Sequence, residues 1–259
     1  MDIINRHDKQ KYFELFNIYK TCIAHMEKRG CNAEYLKKSY LDVCPTQLDF
    51  INKYREVNRT AILIDHINQI GTIEDFSGNK TKNVKLINFL TIIDLDRSPT
   101  DTTLVNSLKL YKDVEKLSVF YVANKTTFDE KKSKKKITAT MKYSDYYAKF
   151  EKNIDNWIRN AGITNVESIT PFYYNDLTID KTQHVYGCTY KKYSEQEVKE
   201  LMEEKLFRKE QMWVVDKNDP LIRIYGFKVG DVIEAYTNPY MLSGSTKPFI
   251  PQIVADMGE

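Results

Sequence analysis

Two short apolar runs, LINFLTIIDL at residues 86–95 and LSVFYVA at 117–123, bracket a helical stretch and constrain the fold more than any other feature of the chain. Both are rich in β-branched and aromatic residues and read as buried strands. Between them, residues 101–116 place Leu104, Leu108, Tyr111 and Val114 on one helical face. Strand, helix, strand is the pattern of a parallel crossover unit. The expected fold of this half is therefore α/β, with a small mixed sheet and helices around it.

The flanking segments extend that picture. Residues 8–29 repeat Tyr12, Phe13, Phe16, Tyr19, Ile23 and Met26 at helical spacing, with Gly30 placed to end the helix. A second helical stretch covers residues 33–54 and is expected to break at Pro45. Residues 124–136 are polar and read as a loop. Ser144 is the expected cap of a helix carrying Tyr147, Phe150, Ile154, Trp157 and Ile158, with Gly162 at its end.

From about Pro171 the texture changes. Residues 177–186 read as extended, and Ser194 with Glu197 has capping-box spacing before Val198, Leu201, Met202 and Leu206. Trp213, Val214 and Val215 then precede a tail punctuated by Pro and Gly, IRIYGFKVGDVIEAY, which reads as β-rich. A length of 259 residues has room for two modest cores. The reading is α+β in two domains, residues 1–170 and 171–259.

Charge narrows the functional classes. With 39 Lys+Arg against 36 Asp+Glu, the net charge of +3 excludes a histone-like general affinity for nucleic acid, so any basic surface must be local. One such place exists: residues 125–136 hold six lysines against Asp129 and Glu130. A lysine loop of that kind neutralises phosphates without reading sequence, or else serves as a solvated loop. No apolar run approaches the roughly 18 residues of a membrane span. The opening MDIINRHDKQKY lacks the apolar stretch of a secretory signal, so an intracellular protein is expected, with Cys22, Cys31, Cys44 and Cys188 as thiols.

Catalytic patterns are sparse. Gly226 and Gly230 open no helix and suit turns that need positive φ rather than a phosphate loop. Cys22 and His25 share one helix while Cys31 lies beyond it, a poor zinc set with no second ligand pair. His7, His66 and His184 read as surface or packing residues. Asp94 and Asp96, at the end of a strand, are the most enzyme-like pair, because strand-end carboxylates hold Mg²⁺ in phosphodiester hydrolysis. The neighbouring strand ends Ala123-Asn124-Lys125, with Ala123 where a second acid would stand. No cofactor and no metal are expected.

The tail carries a resemblance. DPLIRIYGFKVGDV at residues 219–232 resembles the signature of the fifth common subunit of eukaryotic-type DNA-directed RNA polymerases, a family with an equivalent in the archaeal enzyme. Asp219, Pro220, Leu221, Ile222, Arg223, Gly226, Lys228, Gly230 and Val232 fill its places. The stretch before it and the N-terminal FNIYKTCIAHMEKRG resemble the same family, the latter more weakly. Trp213 stands where a Pro is usual, residues 137–165 look like additional helix, and NPYMLSGSTKPF replaces the closing segment, keeping Pro239 and Gly244. Such divergence resembles a polymerase of a large DNA virus more than a nuclear one.

The resemblance implies a non-catalytic subunit, one copy per polymerase, whose C-terminal assembly domain anchors on the largest subunit beside the other subunits. The N-terminal domain would be a jaw, nuclease-like without an active site, in the lower jaw near downstream double-stranded DNA during transcription. It implies backbone contacts to DNA from Lys125, Thr126, Thr127, Lys131, Lys132, Lys134 and Lys135. The implied subunit interface is Asp219, Pro220, Arg223, Tyr225, Gly226, Lys228, Gly230 and Pro239. No membrane is implied; the place is the virion and host cytoplasm if viral, or the nucleus if cellular. Two other readings stay open from the residues: a metal-dependent nuclease using Asp94 and Asp96, and a free-standing nucleic-acid-binding module.

Overall fold

The computed structural model describes residues 6–54, 60–74, 80–95, 101–114, 116–123, 143–183, 188–204, 208–237 and 251–257. The chain divides into two units, Met1–Ile179 and Asp180–Glu259. Both combine helices with a mixed sheet, so the fold class is α+β, as expected.

In the first unit, α1 (Arg6–Lys28) buries Ile18, Tyr19, Cys22, Ile23, His25 and Met26 along one stripe. Gly30 follows it at φ 91°, a conformation that glycine takes without steric cost. The second helical stretch is split: α2 (Ala33–Leu36) runs into a π turn (Lys37–Leu41), and α3 (Gln47–Tyr54) begins beyond Pro45. Thr46 and Asp49 cap α3 reciprocally, with Asp49 N–H donating to Thr46 Oγ1 at 3.3 Å and Thr46 N–H to Asp49 Oδ2 at 3.1 Å. Tyr19 of α1 packs on Phe50 of α3, ring centroids 5.2 Å apart.

The sheet of this unit has the order β1 (Ala61–Glu74), β2 (Lys80–Asp94), β3 (Leu117–Ala123), β4 (Val166–Tyr173). β1 and β2 are antiparallel, whereas β2–β3 and β3–β4 are parallel. The expected crossover is present, with α4 (Asp101–Lys109) joining β2 to β3. α5 (Tyr143–Asn160) starts at Tyr143, so Ser144 lies inside it rather than capping it. Leu104 and Leu108 of α4 and Tyr147, Phe150 and Ile154 of α5 close over Leu90, Ile92, Val119 and Tyr121 on one face. On the other face Phe120 meets Phe172, whose ring lies 6.1 Å from His25 of α1.

β1 and β4 are absent from the sequence reading, and β4 runs across its boundary at residue 170. Because β4 pairs with β3 throughout, the first unit extends to Ile179. The stretch expected to be extended from 177 to 186 is different too. α6 (Tyr174–Leu177) and a 3₁₀ turn (Lys181–Gln183) occupy its described part.

The second unit contains β5 (Cys188–Lys192), α7 (Glu195–Glu204), β6 (Trp213–Asp216), α8 (Pro220–Tyr225), β7 (Val232–Thr237) and β8 (Gln252–Ala255). Its sheet order is β5-β7-β8-β6, antiparallel except for the parallel pair β6–β8. The capping box before α7 is formed: Glu197 N–H donates to Ser194 Oγ at 3.2 Å and Ser194 N–H to Glu197 Oε2 at 2.7 Å. Ile222, Ile233 and Val254 form one small core, and Leu201, Met212 and Val232 another. The tail is not β throughout, since residues 220–225 are helical. β-branched content favours a strand there, but a cap on each side of the segment decides for helix.

Candidate subunit interface

The tail signature is built outward from α8. Asp219 caps it, its carboxylate accepting from Leu221 N–H at 2.8 Å and Ile222 N–H at 3.4 Å. Pro220 fills the first helical position, where its fixed φ suits the helix and its missing N–H costs nothing. At the other end Gly226 takes φ 72° and donates to the Arg223 carbonyl at 3.2 Å. Phe227 N–H reaches the Ile222 carbonyl at 3.3 Å. This pair of bonds is a Schellman closure, and its usual apolar contact is supplied by Phe227 packed against the Ile222 core.

The chain then turns through residues 228–231. Asp231 N–H donates to the Lys228 carbonyl at 3.0 Å, and the Asp231 carboxylate accepts from Lys228 N–H at 2.8 Å. Gly230 sits at φ 93° and donates to the Val254 carbonyl at 2.9 Å, while Val254 N–H returns to the Asp231 carbonyl at 3.0 Å. Lys192 adds an ion pair to Asp231 at 2.7 Å. The turn is thereby tied to β8 and to β5, and its tip at Lys228, Val229 and Gly230 faces solvent.

The expected interface residues are not alike. Asp219, Pro220, Gly226 and Gly230 answer backbone demands of α8 and the turn. Arg223 is buried, and Tyr225 is partly covered by Phe227, stacked at 5.3 Å, and by Tyr190 edge-on at 5.6 Å. Lys228 is exposed. Pro239 lies outside the described residues. The sequence reading missed a further set: Val214, Val229 and Met257 are more than half exposed, as is Trp213. Trp213 and Val214 follow each other on β6 and point to opposite faces, and single exposed apolar side chains are ordinary on a protein surface. Val229 is readable from sequence, since an apolar residue at the tip of a Lys-x-Gly turn has no core to enter.

The DNA-contacting set, Lys125, Thr126, Thr127, Lys131, Lys132, Lys134 and Lys135, lies outside the described residues, as does Asp96. Asp94 is fully buried, and its carboxylate accepts from the Tyr121 hydroxyl at 2.5 Å. The Tyr174 hydroxyl donates to the Asp94 carbonyl. Ala123 is buried in register with Tyr173. Among the described residues no group of three His, Cys, Asp or Glu is placed to hold a metal ion. The Cys22 and Cys31 thiols are buried and pushed up, Cys31 to about 12, so neither is set up as a thiolate ligand. Among the described residues no helix is long and apolar enough to cross a membrane.

Residues 179–238 match the family model described as RNA polymerase Rpb5, C-terminal domain. No curated protein matches the chain. The matched segment runs from just before the second unit to the end of β7 and includes the whole capped helix and turn. Residues 179–238 are therefore similar to the C-terminal domain of RNA polymerase Rpb5, which supports an Rpb5-family polymerase subunit.

Proposed function

We propose that the protein is a subunit of a multisubunit DNA-directed RNA polymerase that anchors on the largest subunit through its C-terminal unit, one copy per complex. The observation that carries this reading is the family match over a segment whose tip, Lys228–Gly230, stands exposed with apolar Val229 at its centre. The N-terminal unit then serves as a lower-jaw element beside downstream duplex DNA. The lysine run at 125–136 neutralises phosphates there rather than reading bases. The divergent closing segment favours a large-DNA-virus polymerase, with virion and host cytoplasm as its place.

The test is retention at high salt. Tagged full-length chain should recover the two largest polymerase subunits in near-equal amounts, and Val229→Asp should lose them while the chain stays folded. Recovery of the chain alone would remove the assembly role. Replacing Lys125, Lys131, Lys132, Lys134 and Lys135 by alanine should leave assembly intact. It should lower the salt slope of DNA engagement by about 0.9 for each phosphate that is no longer neutralised.

A further inference from the structure

β1 is an edge strand of the first sheet. The Thr60 carbonyl accepts from Leu95 N–H at 2.8 Å, which fixes even-numbered residues as those bonding toward β2. Ala61, Leu63 and Asp65 therefore turn their backbone N–H and C=O away from the sheet. These three outward positions are treated differently. At Asp65 the Tyr40 hydroxyl takes the place of a neighbouring strand, accepting from the N–H at 2.9 Å and lying 3.0 Å from the carbonyl. At Ala61 and Leu63 no partner among the described residues meets the outward groups.

The same two residues floor a groove of about 510 Å³. Lys53 and Tyr54 of α3 form one wall, and Asn106, Ser107 and Leu110 of α4 and the turn after it form the other. Leu110 is 72% exposed, an apolar side chain with little protein around it. A backbone edge between two side-chain walls is the geometry of strand addition, in which main-chain bonds give affinity and alternate side chains give specificity.

We propose that this edge is a docking site for an extended segment of a partner polypeptide. It adds a short strand at Ala61–Leu63, with apolar and acidic side chains in alternation. The alternation follows from the walls: successive side chains of an added strand point to opposite faces, one row toward Leu110 and the other toward Lys53, whose ammonium lies 5.4 Å from the centre of the Tyr54 ring in the same wall. The length follows from Tyr40. Its hydroxyl blocks pairing at Asp65, so the added strand is only a few residues long. The same block leaves too short an edge for two copies of this chain to pair along it.

A fluorescein-labelled peptide, Thr-Val-Glu-Val-Glu-Val-Thr, tests the site on the full-length chain by anisotropy and by hydrogen exchange. Binding should slow exchange at the Ala61 and Leu63 amides by about tenfold or more. Ala61→Pro removes one outward donor at the first position of a strand, where proline is tolerated. It should weaken binding by about tenfold, as should Leu110→Asp, a change at an exposed side chain that the fold does not need. A peptide with Lys in place of Glu should bind more weakly than the acidic one. No binding, protection at the β5 or β6 edge instead, or concentration-dependent pairing of the chain through β1 would each overturn the proposal.

Discussion

The Tyr121 hydroxyl donates to the Asp94 carboxylate at 2.5 Å, with both residues fully buried at the C-terminal ends of two parallel strands. A carboxylate placed this way is a structural strut between β2 and β3. Tyr121→Phe removes one of its donors and should lower the unfolding free energy by about 1–3 kcal/mol. Urea denaturation of the two proteins measures it, and equal midpoints would show that the bond does not support the fold.

The capped helix makes a contrasting pair of predictions. Asp219→Ala should cost about 1 kcal/mol by removing the cap, and Gly226→Ala about as much through a left-handed position forced on alanine. Lys228→Ala should leave the unfolding curve where it is and reduce retention of the polymerase partner at high salt. If Lys228→Ala destabilises the unit as much as Asp219→Ala, the division between folding residues and contact residues fails.

His66 gives a pH dependence with a definite sign. Its Nε2 accepts from Asn32 N–H at 2.9 Å, which only the neutral ring can do, and burial holds it below its ordinary value against the opposing pull of Asp65. The unfolded histidine titrates near about 6.5. As pH falls from there toward the lower folded value, the unfolded chain takes up a proton that the folded chain refuses, so stability is whole above that window and declines through it. His66→Gln should flatten the pH dependence of thermal unfolding below about pH 6.5. An unchanged slope would exclude this histidine as its source.

Tyr40→Phe bears on the edge of β1. Without the hydroxyl, Asp65 presents an unmet N–H and C=O, and the run of outward backbone lengthens from Ala61 to Asp65. A longer bare edge invites pairing between copies. Sedimentation velocity should show the variant self-associating at concentrations where the parent is a single species.

The two strands around the crossover are legible in the sequence because they are continuous apolar runs with turn signals outside them. β4 is not, because Pro171 interrupts VESITPFY and suggests a change of domain, although it pairs with Tyr121 in the middle of the ladder. β1 escapes notice although its first residues alternate in burial, with Ile62, Ile64 and His66 covered. α8 reads as strand because Ile222, Ile224 and Tyr225 favour extension, yet the Asp219-Pro220 start and the Gly226 stop are both plain helix signals. Of the interface, the turn glycines are legible from the positive φ that such turns require. Trp213 stands out only as an oddity and Val214 not at all, since neither spacing nor charge marks a side chain left outside a core of this size.

Asp219, Pro220, Gly226 and Gly230 serve the backbone of their own chain, and the groups that face outward beside them are different residues. A protein built this way can exchange the side chains it shows to solvent while keeping the scaffold that displays them. Two lineages of such a subunit are then expected to agree in how the turn is made and to differ in what it touches. Swapping the turn between them would transfer partner preference without disturbing the helix behind it.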